Sequence, residues 1–273
     1  MSTVSDTLFH SLSAFRGGAI FYSSPASTLH ILQCIFVLCS SSDNGGAVYS
    51  VSNALSVKKS CFESCNALRF VFMHFEAPNS EFELDTLHKI YDVSKSNTIR
   101  GYTDYNKIKT MNMSSINLGY YSLPEICGAT SFNVSFCSFI SSFSRQMGIY
   151  AYSCRSLFLL DYSNFVNASS PDGYGIIAVN NNKLECIKCI IHSNIGYLFY
   201  IHISGSINVN ECWIHHTYAT GVDLSNNHLT KTQTYIIDHL NTAQCQHIGY
   251  GTIHVRSSYG TFHLSYILLQ YFT

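Results

Sequence analysis

One eight-residue pattern, apolar-x-apolar-x-x-(Cys or apolar)-x-apolar, returns ten times along the chain at intervals of about 26 residues. It reads LHILQCIF from Leu29, LSVKKSCF from Leu55, FELDTLHK from Phe82, MNMSSINL from Met111 and FNVSFCSF from Phe132. It continues as LFLLDYSN from Leu157, LECIKCII from Leu184, INVNECWI from Ile207, YIIDHLNT from Tyr235 and FHLSYILL from Phe262. Positions one and three are apolar in every copy. Position two is polar in eight, at His30, Ser56, Glu83, Asn112, Asn133, Glu185, Asn208 and His263. Such alternation marks a strand with one buried face.

The second stretch of each repeat is also strand-like and is usually led by glycine. Examples are GGAIFY from Gly17, GGAVYS from Gly45, GIYAYS from Gly148, GIIAVN from Gly175 and GTIHVRS from Gly251. Glycine suits a strand that leaves a tight corner. Two strands and their turns fill the repeat, so no length remains for a helix.

Two solenoids fit a period of this size. A leucine-rich repeat needs a leucine three residues before position one. Those places hold Ala26, Ser52, Asn79, Ile108, Ala129, Cys154, Asn181, Ser204, Thr232 and Tyr259, of which only Ile108 has a suitable side chain. The pattern therefore predicts an all-β parallel β-helix of about ten coils, one domain over residues 1–273, with coils about 4.8 Å apart. Position six, which includes Cys34, Cys137, Cys189 and Cys212, reads as a ladder of buried free thiols, with a Cys189–Cys212 bridge as the alternative.

The repeat fades over residues 88–120, which hold Lys89, Lys95, Arg100, Lys107 and Lys109. This stretch is expected to be an irregular coil with a loop insertion, a candidate contact surface. Neither end carries a polar cap, which predicts a piece of a longer solenoid.

Charged residues make up 11% of the chain and the formal net charge is −1. That balance gives no reason to expect nucleic acid or an anionic membrane as partner. No apolar run is long enough to span a bilayer and the first residues lack the features of a signal peptide, so membrane attachment would need an anchor outside this chain. Eleven cysteines include one C-x2-C pair, Cys186 to Cys189, with no second pair at zinc spacing. His192 and His215 each follow a position-six cysteine by three residues and are expected to stack on adjacent coils. Neither feature names a metal site, and no cofactor is expected. Glycosylation sequons stand at Asn112, Asn133 and Asn167.

β-Helices often house polysaccharide lyases and glycoside hydrolases. Those chemistries need converging carboxyls, about 5–10 Å apart for hydrolysis. The nine Asp and seven Glu here include no Asp-Asp pair, and Glu185 and Glu211 fall at different positions of adjacent coils. No catalytic residue can be named.

GGAIFY and GGAVYS are followed by CIFVLC (Cys34 to Cys39) and CFESCNA (Cys61 to Ala67). Over residues 17–66 the chain resembles the polymorphic outer membrane protein repeats, in the type found in protist surface proteins. That family's signature is G-G-A-[ILV] with a nearby F-x-x-N. Here Phe62 to Asn66 is one residue too long for the second element. The resemblance implies a right-handed β-helix at a cell surface or outside the cell, acting without catalysis as an adhesin or as a module binding a host or cell-surface protein or glycan. The alternative is a carbohydrate-active enzyme, a lyase or hydrolase on a pectate-lyase-like β-helix.

Overall fold

The computed structural model describes residues 1–83, 85–92, 97–118, 124–144, 148–152, 157–170, 175–192, 194–215 and 256–257. Among them there is no helix, and the strands form sheets of 14, 12 and 3 strands, parallel except at one pairing. Each strand pairs with the strand one repeat away, so the chain is a parallel β-solenoid. One inward row runs Ser2, Leu29, Leu55, Ser80, Asn106, Phe132, Phe158, Leu184, Ile207. Seven turns separate Leu29 from Ile207, and the strand Ser2–Ser5 extends the stack. The copies at Tyr235 and Phe262 lie outside the described residues. The only antiparallel pairing among the described residues joins Ser2–Ser5 to Arg256–Ser257.

Two residues along, a second inward row reads Val4, Ile31, Val57, Phe82, Ile108, Val134, Leu160, Cys186, Val209. Past the corner a third runs Phe9, Phe36, Phe62, Leu87, Met113, Phe139, Phe165, Ile191, Ile214. Its rings stack face to face, at 4.8 Å for Phe9–Phe36 and 4.7 Å for both Phe36–Phe62 and Phe139–Phe165. Parallel stacking forces like beside like, and each such ring pair adds about 0.5–1.5 kcal/mol beyond its area burial.

The corner between these rows is one residue in the left-handed region. Asp6, Gln33, Lys59, Thr110, Phe136, Tyr162, Lys188 and Glu211 hold φ between 47° and 56°. A non-glycine residue there costs about 1–2 kcal/mol. From Asp6 to Lys188 the backbone N–H of these residues offsets that cost by bonding the carbonyl one coil on, as in Gln33 to Lys58 at 2.9 Å and Tyr162 to Ile187 at 3.0 Å. The next residue forms the row Thr7, Cys34, Ser60, Asp85, Met111, Cys137, Ser163, Cys189, Cys212. Its side chains accept the N–H of the preceding coil: Cys34 N to Ser60 Oγ at 3.2 Å, Ser60 N to Asp85 Oδ1 at 2.8 Å, Cys137 N to Ser163 Oγ at 3.1 Å. The thiol ladder expected from sequence is thus a hydrogen-bonding ladder in which Ser, Asp and Cys serve the same turn. Cys189 and Cys212 are free thiols rather than a bridge.

Three copies of the pattern shift register. Ser80 replaces Phe82 as the first inward residue and Asn106 replaces Met111, because two inward polar residues satisfy each other there: Asn106 Nδ2 donates to Ser80 Oγ at 2.7 Å. In the run LFLL the inward residue is Phe158, and Leu157 pairs with Lys183 outside the Leu184–Ile207 column. A one-residue slip exchanges the two faces of a strand. Within residues 88–120, the strands Ile99–Tyr102, Tyr105–Lys109 and Asn112–Leu118 each pair in parallel with both neighbouring coils.

Asp85 is fully enclosed, and its Oδ2 has no hydrogen-bond partner. Burial raises its pKa well above the ordinary 3.8. The folded chain thus keeps a proton that the unfolded chain releases. The stability this residue contributes is complete below pH 3.8 and is lost as pH rises through the raised folded value. Asp85→Ser, the residue of the adjacent coil's Ser60, is expected to stabilise the protein at pH 7 by about 1–3 kcal/mol. Thermal denaturation at pH 7 and pH 3 checks this, since the gain should vanish at the lower pH.

Candidate functional site

Outward from Leu29 and its stacked partners runs a second set of columns. Thr28, Ala54, Asn79, Tyr105 and Ser131 stack in one, and His30, Ser56, Glu81, Lys107 and Asn133 in the next. Together they line a groove of about 440 Å³ that crosses five coils. At about 4.8 Å per coil the groove is roughly 20 Å long. Its floor is flat because these strands keep one register throughout.

The lining is chiefly hydroxyl, amide and imidazole, with one charged network. Lys58 Nζ lies 2.7 Å from Glu81 Oε2 and 3.1 Å from Glu83 Oε2, and Lys107 Nζ is 3.5 Å from Glu81 Oε1. The hydrogen bond from Lys58 lowers the pKa of Glu81, which is therefore a carboxylate at neutral pH. Burial and the Lys58 charge lower that of His30. Tyr105, 56% exposed, presents an aromatic platform in the fourth of the five coils.

The glycine-led strands carry a different outer face. Phe21 stacks on Tyr49 at 5.4 Å and Tyr49 on His74 at 5.2 Å, while Phe70 covers His74 at 4.8 Å. Arg16 lies over Tyr49 and is tied to Asp43 at 2.8 Å, and Arg100 lies over Phe70 and Tyr102. Cations over ring faces add modest attraction, more where water is excluded. His74 is only 6% exposed; burial, then Arg100 and Arg16, push its pKa down from 6.5 to about 4. The carboxylate of Glu76, 3.7 Å away, is half in solvent and does not reverse this.

As pH falls through 6.5 the unfolded chain takes up this proton first, so stability drains between pH 6.5 and about 4. The loss from this one residue is expected to reach about 3 kcal/mol. His74→Phe, which continues the Phe21–Tyr49 stack, should remove that part of the acid sensitivity in urea unfolding at pH 7 and pH 4.5.

The positions expected to face outward do so at His30, Ser56, Asn133, Glu185 and Asn208. Glu83 is also outward, two residues beyond Glu81, which holds position two of its coil. Asn112 lies past the corner, paired with Thr86 and Ser138, and its Oδ1 is buried. Among the sequons, Asn167 is exposed and Asn133 half-exposed. His192 and His215 pair in backbone register, as their spacing predicts. His263 lies outside the described residues. Lys107 belongs to the basic stretch over residues 88–120, whereas Glu81 and Tyr105 do not stand out in the sequence because they fall in two of the three copies whose register slips.

Among the described residues, eight cysteines are free and buried. Three converge: the Sγ atoms of Cys186, Cys189 and Cys212 lie within 4.8 Å of one another, with Cys186 and Cys212 at 3.6 Å. Hydrogen bonding from the Cys186 and Cys189 thiols holds the pKa of Cys212 down, whereas burial pushes that of Cys189 up. No protein-family model matches the chain, and no curated protein or solved structure matches it.

Proposed function

We propose that this chain is a non-enzymatic, surface-displayed β-helix module that binds an extended glycan along the polar groove. The observation that carries this is the groove itself, in which each of five coils offers at least one side-chain donor or acceptor beside the exposed ring of Tyr105. An extended polysaccharide presents hydroxyls at a comparable repeat, and a mostly uncharged lining suits it better than an anionic or cationic polymer. The surface placement rests on the G-G-A-[ILV] resemblance to polymorphic outer membrane protein repeats over residues 17–66. An adhesive role follows from the two together.

A carbohydrate-active enzyme is the second reading, and one observation favours it. Glu81 and Glu83 leave the same face of one strand, about 7 Å apart along it, inside the range used by glycosidases. Such an enzyme also needs a general acid whose pKa is raised. Glu81 is shifted the other way, and Lys58 ties up both carboxylates. This supports binding over hydrolysis.

The test is an NMR titration of the full chain with a panel of neutral oligosaccharides. Tyr105→Ala is expected to weaken binding at least about tenfold, and Tyr152→Ala, on the other face, to leave it unchanged. Equal affinity in wild type and Tyr105→Ala removes the groove as the site. Chain cleavage that disappears in Glu81→Gln shifts the reading to the enzyme.

A further inference from the structure

Most buried cysteines of this protein have a local role. Cys34 and Cys137 occupy the turn row and give their S–H to the carbonyl two residues back, Leu32 at 3.4 Å and Ser135 at 3.3 Å. Cys189 and Cys212 do the same toward Ile187 and Asn210. Cys186 does not belong to that row. It stands in the second inward row, where every other level holds Val, Ile, Leu or Phe. Packing does not demand a thiol there, since Val209 fills the next level and Leu160 the one before. The effect of cysteine at this one place is to bring a third sulfur onto the two turn sulfurs.

We propose that Cys186, Cys189 and Cys212 form a binding site for a soft, thiophilic cation of the Cu⁺ class. A metal–sulfur bond of about 2.3 Å, with three sulfurs in a plane around the ion, places those sulfurs about 4 Å apart. The observed spacing, 3.6 Å for one pair and within 4.8 Å for all, brackets that value without a backbone shift. Sulfur donors select soft ions over hard ones. Structural zinc takes four protein ligands, and an iron–sulfur cluster four cysteines. Among the described residues no fourth His, Cys, Asp or Glu joins the three. Monovalent copper is satisfied by two or three sulfurs.

Binding exchanges protons for the ion. Cu⁺ takes the place of all three sulfur protons, which leave to solvent, and the three thiolates complete the plane. The site then carries two net negative charges. The Cys189 backbone N–H, 3.3 Å from Cys212 Sγ, points at it and partly offsets the cost of burying that charge.

Because the cluster is sealed in the core, the full chain is refolded anaerobically with Cu⁺ present, then freed of unbound metal. Wild type is expected to retain one Cu⁺ per chain, with sulfur-to-copper charge-transfer absorption in the near ultraviolet. Cys186→Val, which restores the apolar row, should give the same β-sheet circular dichroism and lose both the metal and the band. Cys137→Ser, which places there the residue that other coils carry at the same turn as Ser60 and Ser163, should keep both. The proposal is overturned if folded wild type retains no Cu⁺, if Cys186→Val retains as much, or if Zn²⁺ is held in preference. A Cys186–Cys212 disulfide in the anaerobic protein overturns it as well.

Discussion

Gly46→Ala is expected to abolish folding of the N-terminal coils. A Cβ at Gly46 would stand 2.1 Å from the carbonyl oxygen of Val71 and 2.5 Å from that of Asn66, both backbone atoms. Neither can retreat. The Gly46 N–H is bonded to Phe70 at 3.2 Å, and the Ala47 and Val48 N–H groups both bond the Phe72 carbonyl at 3.0 Å. The adjacent coil makes the same demand, because a Cβ at Gly18 would meet the Gly46 carbonyl oxygen at 2.2 Å and that of Ser40 at 2.3 Å. Opening one corner therefore unseats the coils above and below it, and the expected cost is at least about 4 kcal/mol, beyond the usual range for a single substitution. The measurement is hydrogen exchange with thermal denaturation. Protection should be lost over residues 1–76 first, since a solenoid couples each coil mainly to its neighbours. A Gly46→Ala protein melting within a few degrees of wild type would show that the corner has slack.

Phe36→Ala is expected to cost about 3–5 kcal/mol. Its ring is fully buried and lies between Phe9 and Phe62, so deletion removes two stacked contacts and leaves a hole that neither neighbour can fill without leaving its own stack. Phe36→Leu should recover part of the loss, because Leu87 occupies the same row two coils along. Urea unfolding of the two variants checks the order. Equal stability of Phe36→Ala and wild type would mean that the row carries little of the core energy.

The coil is legible in sequence because stacking repeats one chemical demand at every level. Leu29, Leu55, Phe132, Leu184 and Ile207 take their places in the inward row on that ground alone. The pattern slips where the demand is met in another way. Ser80 and Asn106 face inward as a hydrogen-bonded pair, and a pattern tuned to apolar residues moves on to Phe82 and Met111. At Leu157 four consecutive apolar residues offer two registers, and only the pairing of Phe158 with Leu184 decides between them. The groove is invisible in sequence for a related reason. Its residues come from five repeats and become a surface only when the register is right. The sulfur cluster does leave a trace: Cys189 and Cys212 are 23 residues apart, one coil at that level, with Cys186 three residues before Cys189, a spacing unlike the second C-x2-C pair that marks a zinc site.

The left-handed corners have a consequence for how such a molecule can change. Gln33, Lys59, Thr110, Phe136, Tyr162 and Lys188 lie along a single edge, each closing its coil through main-chain atoms. Five kinds of side chain occupy one conformation there, so the edge tolerates variety in what it displays while the scaffold behind it stays constant. Diversification can proceed there residue by residue, with the outward identity of the protein free to drift and its architecture untouched.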